Sequence, residues 1–432
     1  MPASAKIKPD RKPRRGERLS EDALLDLVQR QTFLYFWEGA HQGSGLARDR
    51  AGRLKDPADD AVAIGGSGFG VMALLVACER RWVTRTEALQ RLSLILDRFD
   101  RATCYHGLYP HFMHGDTGAT LPFSRKDDGA DLVESAFFFQ GLLCARAYFA
   151  ADAPEERRVR DRITWLWQDA EWDWFTQGGR TALTWHWSPN NGFALNHPIR
   201  GWNECLVAYI LAAAHPRYSI PSEVYHEGWA QGRAFVNRRT FEGVELPLGP
   251  DWGGPLFFTH YSFCGIDPRG LSDAYADYWR QNVNHTRINY AWCVRNPLGY
   301  KGYGPNCWGL TAGDSIDGYA GHAPDNDRGV ITPSAALSCL PYAPAEAMAA
   351  LRHFYEDLGD WIWGRYGFVD GFSEQANWRA DSYLSISQGP IVVMIENYRS
   401  GLIWSLFMGI PEIQAGMKKL GFKSPHFQPQ TS

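Results

Sequence analysis

Six stretches of the chain carry apolar residues on every side of a helical projection, each behind a polar or glycine-rich lead-in. They begin near Gly66, Glu134, Glu204, Phe263, Pro333 and Glu396. Between them lie one-sided segments with apolar residues at helical spacing. Ser20 is placed to cap a first helix over Glu21 to Trp37, and Thr84-x-x-Glu87 forms a capping box for another running to about Arg101. A helix apolar on every face is buried on every face, and a one-sided helix faces solvent. Six alternating pairs predict an all-α fold, an (α/α)6 barrel of inner and outer helices. Residues 175–198 alternate and turn, so a short β-hairpin over the barrel mouth is expected there.

No linker divides the pattern. One domain is expected over residues 21–424, behind a basic N-terminal arm over 1–20 and before a tail over 425–432. At 432 residues, 45% hydrophobic and 21% charged, the chain is long enough to bury a large core. A net charge of -4 leaves no basic footprint for nucleic acid. No run is long and apolar enough to span a membrane. The N-terminus lacks the apolar stretch of a secretory signal, so the chain as written reads as cytoplasmic, or periplasmic had a signal been removed. The eight cysteines have no C-x-x-C spacing and read as free, mostly buried thiols. The glycines of GGSGFG at Gly65 follow no clear strand, and close helix packing accounts for them better than nucleotide binding.

Aromatic residues make up 14% of the chain, with 18 Trp and 19 Tyr, many beside Gly, Asn and Asp. Large helical cores need big side chains, which accounts for part of this. Carboxylates at the starts of the apolar helices change the picture further, because a helix N-terminus carries partial positive charge and a buried carboxyl has a raised pKa. In Asp127-Asp128-Gly129-Ala130-Asp131-Leu132-Val133-Glu134, Asp127 and Asp131 would share one face of a helix start, or simply cap it. Glu204, in Arg200-Gly201-Trp202-Asn203-Glu204, enters an apolar run, where a charge is costly unless it faces a cavity. Asp381 lies in a loop between aromatics. Glu396 and Arg399, three apart, are placed to pair with each other or to meet a ligand. Residues 301–327 form a long Gly/Asn/Asp/aromatic loop holding Tyr303, Trp308, Asp314 and Asp317, the kind that is usually functional. His106, His111 and His114 read better as loop or core histidines than as metal ligands.

Several segments resemble a known family: SGFGVMALLVACERRW, DDGADLVESAFFFQGLL, GWNE, YWRQNVNHTRINYAWC, GYGPNCWGLTAGD and QGPIVVMIENYRSGLIWSLF. They are similar to the glycoamylase domain, which includes the endo-β-1,2-glucanases of glycoside hydrolase family 144 and is similar to the transglycosylating domain of cyclic β-1,2-glucan synthases. The likeness runs from about Asp26 to Phe422. It implies an (α/α)6 barrel acting on β-1,2-glucan, with Asp127, Asp131 and Glu204 at positions important for activity and attention drawn to Asp381. The chain departs from the pattern at Ala130, where the family usually has glycine.

The expectation is then a glycoside hydrolase cleaving β-1,2-glucan within the chain. Glu204 would be the general acid. Asp381 first, or Asp131 second, would activate water, with Asp127 beside them. Trp185, Trp187, Trp202, Tyr303 and Trp308 would stack on glucose rings, and Asp314, Glu396 and Arg399 would make further sugar contacts. Two carboxylates suffice, so no cofactor and no metal is expected. The alternatives are a retaining transglycosylase, a non-catalytic glucan-binding protein and, more distantly, a sugar epimerase. Oligomeric state stays open.

Overall fold

The structure is a computed structural model describing residues 18–52 and 60–427. The expected basic arm therefore lies outside the described residues apart from 18–20, as does the tail apart from 425–427. The α-helices run in chain order: α1 (Glu21–Trp37), α2 (Ile64–Glu79), α3 (Arg85–Phe99), α4 (Leu132–Tyr148), α5 (Pro154–Gln168), α6 (Leu206–Ala214), α7 (Tyr278–Arg295), α8 (Pro333–Ser338), α9 (Pro344–Arg352), α10 (Gly359–Ile362), α11 (Ser385–Arg399), α12 (Leu402–Met408) and α13 (Pro411–Lys419). The strands between them are two to four residues long and form small two- and three-stranded sheets, some joining distant segments, as Arg50–Gly52 does with Ser382–Leu384. The fold is mostly helical.

Local chemistry sets the helix boundaries. Ser20 Oγ accepts from the Ala23 amide and starts α1. Thr84 and Glu87 close a reciprocal capping box at α3. Asp131 caps α4 by accepting from the Val133 and Glu134 amides, both at 2.9 Å. The helices apolar all round are buried all round: α2, α4, α6 and α11 lie in one continuous apolar core running from Leu24 to Phe422. α2 packs on α4 and α11, α1 on α11, α13 on α6, and the one-sided α3 on α5. At the α2–α4 crossing, a Cβ on Gly68 would come within 2.1 Å of the Phe137 carbonyl, and one on Gly141 within 2.2 Å of the Gly68 carbonyl. The glycines of GGSGFG are thus a packing seam.

Four expected elements differ. The stretch around Phe263 is two short 3-10 turns, Leu256–Thr259 and Ser262–Cys264. The last apolar run is two helices, broken at Gly401 in the left-handed region at φ +72°. Its first helix begins at Ser385, so Glu396 sits in the last turn of α11 and not at a lead-in. The 301–327 loop contains an antiparallel hairpin, Ala312–Ser315 with Gly318–Gly321. Over 175–198, the strand His186–Trp187 pairs with Ala130–Asp131, while the bridges Thr184–Pro198 and Ser188–Gly192 fold the segment on itself. Seven of the eight cysteines are free and buried, and Cys104 is free and exposed.

Candidate functional site

The loops before α2, α4 and α6 converge on one cavity of about 430 Å³, within the usual range for a small-molecule or oligomer pocket. Its lining includes Glu134, Glu204, His111, Trp185, Phe123 and Tyr319, with Asp49 and Arg50 on another wall. Each side chain is placed by a local feature of the backbone. Glu134 lies in the first turn of α4 and accepts from the Gly65 amide at 2.7 Å, so the start of α2 holds its carboxylate. Glu204 stands two residues ahead of α6, where Asn203 Oδ1 accepts from the Cys205 amide at 2.9 Å and the Ser262 hydroxyl donates to the Glu204 carbonyl. Tyr319 projects from the 312–321 hairpin, whose two-residue loop Ile316-Asp317 is followed by Gly318 at φ +110°.

An electrostatic group runs from the cavity wall into the protein behind it. Asp131 is fully buried, and its Oδ2 lies 3.1 Å from His111 Nδ1. His111 Nε2 is 3.9 Å from Glu134 Oε1. His186 Nε2 is 3.4 Å from Asp127 and 3.8 Å from Asp131. Burial alone would lower the pKa of His111. The charges of Glu134 and Asp131 and the hydrogen bond to Asp131 outweigh it and raise the imidazole to about 10. Asp131 is held below its ordinary range despite its burial, chiefly by His111. Burial raises Glu204 to about 7, with the charges of Asp131 and Glu134 adding to it. Burial likewise raises Glu134 to about 7, against the pull of His111. Burial and the Asp131 charge take Asp127 to about 7. One ionised aspartate paired with a cationic histidine thus lies beside carboxyls poised to be protonated near neutral pH, the pattern from which acid–base pairs are built.

The expected site residues divide. Glu204 and Trp185 line the cavity, and Asp131 and Asp127 lie behind it. Asp127 and Asp131 do not share a helix face: Asp131 ends a strand, α4 starts at Leu132, and the two approach through His186. Asp314 stands at the margin, held by both oxygens to Arg50 Nη1 at 2.6 Å, with its amide donating to Asp370. Asp381 is exposed and outside the cavity lining.

Six of the expected sugar contacts are committed elsewhere. Trp202 is 3% exposed, packed on Phe263 and Tyr278, and Trp308 is fully buried with its indole N–H donating to the Glu346 carbonyl. Neither presents a face to a ligand. Trp187 packs among Tyr105, His106 and Trp174, and Tyr303 donates to Asp327 at 2.8 Å. Glu396 and Arg399 do not pair with each other. Glu396 accepts a two-pronged contact from Arg80 at 2.7 and 2.9 Å and a bond from Gln29 at 3.1 Å, and Arg399 reaches Asp26 and the other end of the same Gln29 amide. Sequence reasoning missed Tyr319, Arg50 and Phe123 and gave Glu134 no part in the chemistry. The Asp317-Gly318 turn signal was the available pointer to the hairpin that carries Tyr319.

The glycoamylase family model, described as "Putative glucoamylase", matches residues 196–411, half of the chain. The chain belongs to the glycoamylase family. This member is 41% identical over 424 residues to an exo-β-1,2-glucooligosaccharide sophorohydrolase (non-reducing end) of Parabacteroides distasonis, an alignment covering 93% of this chain and 58% of that protein. The chain therefore spans under two thirds of that relative's length. Among solved structures, the endo-β-1,2-glucanase of Chitinophaga pinensis, complexed with sophorotriose and glucose, is 51% identical with a TM-score of 0.93, covering 95% of this chain and 100% of that one. A β-1,2-glucanase of Parabacteroides distasonis is 41% identical with a TM-score of 0.90, covering 94% of this chain and 60% of that one. These relatives are thus named for activity on β-1,2-linked glucose chains.

Proposed function

We propose that this glycoamylase-family protein is a glycoside hydrolase acting on β-1,2-linked glucan. The observation that carries the reading is the cavity itself, where Glu204 and Glu134, both raised to about 7, share one space walled by Trp185, Phe123 and Tyr319. Glycosidic cleavage needs one carboxyl to protonate the leaving oxygen and a second group to activate water or attack the anomeric carbon. Glu204 is the proton donor in this reading. Its side chain makes no ion pair with a neighbouring cation among the described residues, so its proton is available to a ligand. The second carboxylate comes from the Glu134–Asp131–His111 group: Glu134 and His111 line the cavity, and the buried Asp131 and the His111 charge act on Glu134. Asp381, the first choice from sequence for the base, is a weaker candidate because it lies outside the cavity lining. The aromatic walls supply flat apolar faces for sugar rings.

Within the class we propose cleavage inside the chain. The endo-acting relative matches along its full length at 51% identity, whereas the exo-acting one is 41% identical and extends well beyond the matched region. We also read the buried α2, α4, α6, α8 and α11, with the 3-10 turns around Phe263 in the sixth place, and their one-sided partners as an (α/α)6 toroid, which accounts for Glu134 and Glu204 meeting at one rim. The deciding experiment is a time course on linear β-1,2-glucan, with products separated by size and the new anomer followed by NMR. Early release of mixed oligosaccharides is expected. Release of disaccharide alone would replace internal cleavage by exo action, longer or cyclic products would indicate transglycosylation, and no turnover would defeat the enzymatic reading.

A further inference from the structure

Away from the cavity, three segments bring together a thiol, an imidazole and a carboxylate. Cys307 lies in the loop before the 312–321 hairpin and is 3% exposed. His353 opens a short π-helical turn, His353–Asp357, directly after α9. Glu374 follows the strand Phe372–Ser373. One ligand atom from each lies within 4.8 Å of the other two.

Three details separate this cluster from a chance meeting of side chains. His353 Nδ1 is bound to Asp357 Oδ2 at 2.8 Å, which leaves Nε2 as the free ring nitrogen. A carboxylate behind a histidine in this way fixes the tautomer and strengthens the ring as a metal ligand. Glu374 is only half-buried, yet it makes no side-chain hydrogen bond or salt bridge among the described residues. Gly302, at φ +94°, makes room for that carboxylate, since a Cβ there would lie 2.3 Å from Glu374 Oε1.

We infer that Cys307, His353 and Glu374 form a zinc-binding site, with a water as fourth ligand. Thiolate and imidazole together select zinc over the hard cations magnesium and calcium. Around a tetrahedral zinc, with bonds of about 2.0–2.3 Å, ligand atoms stand roughly 3.3–3.8 Å apart. Side-chain rotations of about 1 Å would close the observed set. On binding, the Cys307 thiol gives its proton to solvent and its sulfur bonds to the metal. The ion would tie the π-helical turn and the 373–374 segment to the loop that leads, five residues later, into the hairpin carrying Asp314 and Tyr319. It would brace the cavity rim without touching the reaction.

The test is metal analysis of full-length protein purified without chelators or an immobilised-metal column, followed by cobalt replacement. About one zinc per chain is expected, and the cobalt form should show the near-ultraviolet thiolate-to-metal absorption. Cys307→Ser should lose that band, and Asp357→Asn should weaken zinc binding by about 10- to 100-fold in competition with a chromophoric chelator. Should Cys307→Ser fail to fold by circular dichroism, Glu374→Gln and Asp357→Asn carry the same comparison. Wild-type protein that neither retains zinc nor binds it when supplied would overturn the assignment, as would a folded Cys307→Ser with unchanged affinity.

Discussion

Replacing Glu204 by glutamine tests the proposed proton donor through stability as well as rate. The Glu204 carboxyl is raised from 4.5 to about 7 by burial first. The free energy between those values, at about 1.36 kcal/mol per tenfold change, is roughly 3.4 kcal/mol. The side chain is partly exposed, and solvent screening reduces this to about 2–3 kcal/mol. The sign follows from linkage: between pH 4.5 and 7 the native state holds the proton more tightly than the unfolded chain, so wild-type stability falls as pH rises through that window. Glutamine carries no such cost. Glu204→Gln should match wild type near pH 4 and exceed it by about 2–3 kcal/mol at pH 8. For 432 residues, with an unfolding entropy of roughly 0.9 kcal/mol per kelvin, that is a Tm gain of about 2–3 °C. The same variant should lose about 100- to 10,000-fold in kcat on β-1,2-glucan, the contribution of a general acid. Calorimetry across pH and reducing-sugar release together decide the matter. A Tm difference that does not grow with pH, or activity close to wild type, would refute the placement of a protonated Glu204 in the cavity.

The other expectations use the same assays. Trp185→Ala should raise KM through lost stacking worth about 0.5–1.5 kcal/mol, roughly 2- to 12-fold, with little change in Tm, whereas Trp202→Ala should cost about 3–5 kcal/mol of stability because that ring is core. Asp131→Asn preserves a cap for α4 but removes the anion beside His111. Wild-type stability from the His111 charge is complete below pH 6.5 and is lost as pH rises through about 10; in the variant that loss should move to lower pH, visible as an earlier alkaline decline in Tm, and an unchanged decline would count against the pair. Arg80→Ala strands the buried Glu396 carboxylate and should destabilise by about 3–5 kcal/mol in chemical unfolding.

Much of the helical pattern was legible because local rules and burial agree there. α1 begins and ends where Ser20 and the apolar spacing put it, and α2 and α4 are apolar all round because they pack on all sides. The place of Glu204 on the cavity wall was legible for the same reason, since a charge heading an apolar run implies a cavity. What could not be read was partnership. Glu396 has a residue of opposite charge three positions away, yet its partner is Arg80, 316 residues distant in sequence. Trp202 and Trp308 have loop-like neighbours in sequence and core neighbours in space. His111 and Tyr319 reach the cavity from loops whose course depends on tertiary packing.

The glycine seam between α2 and α4 has a chemical consequence. Because Gly68 and Gly141 let the two backbones touch, the first turn of α2 is pressed against the carboxylate of Glu134, and a Cβ at Gly65 would itself fall 2.6 Å from Glu134 Oε2. The spacing of two helices therefore sets how strongly an amide N–H stabilises that anion. Enlarging a seam glycine should detune a proton affinity by lengthening one bond, so that a change made for packing would first be read out as a displaced pH optimum.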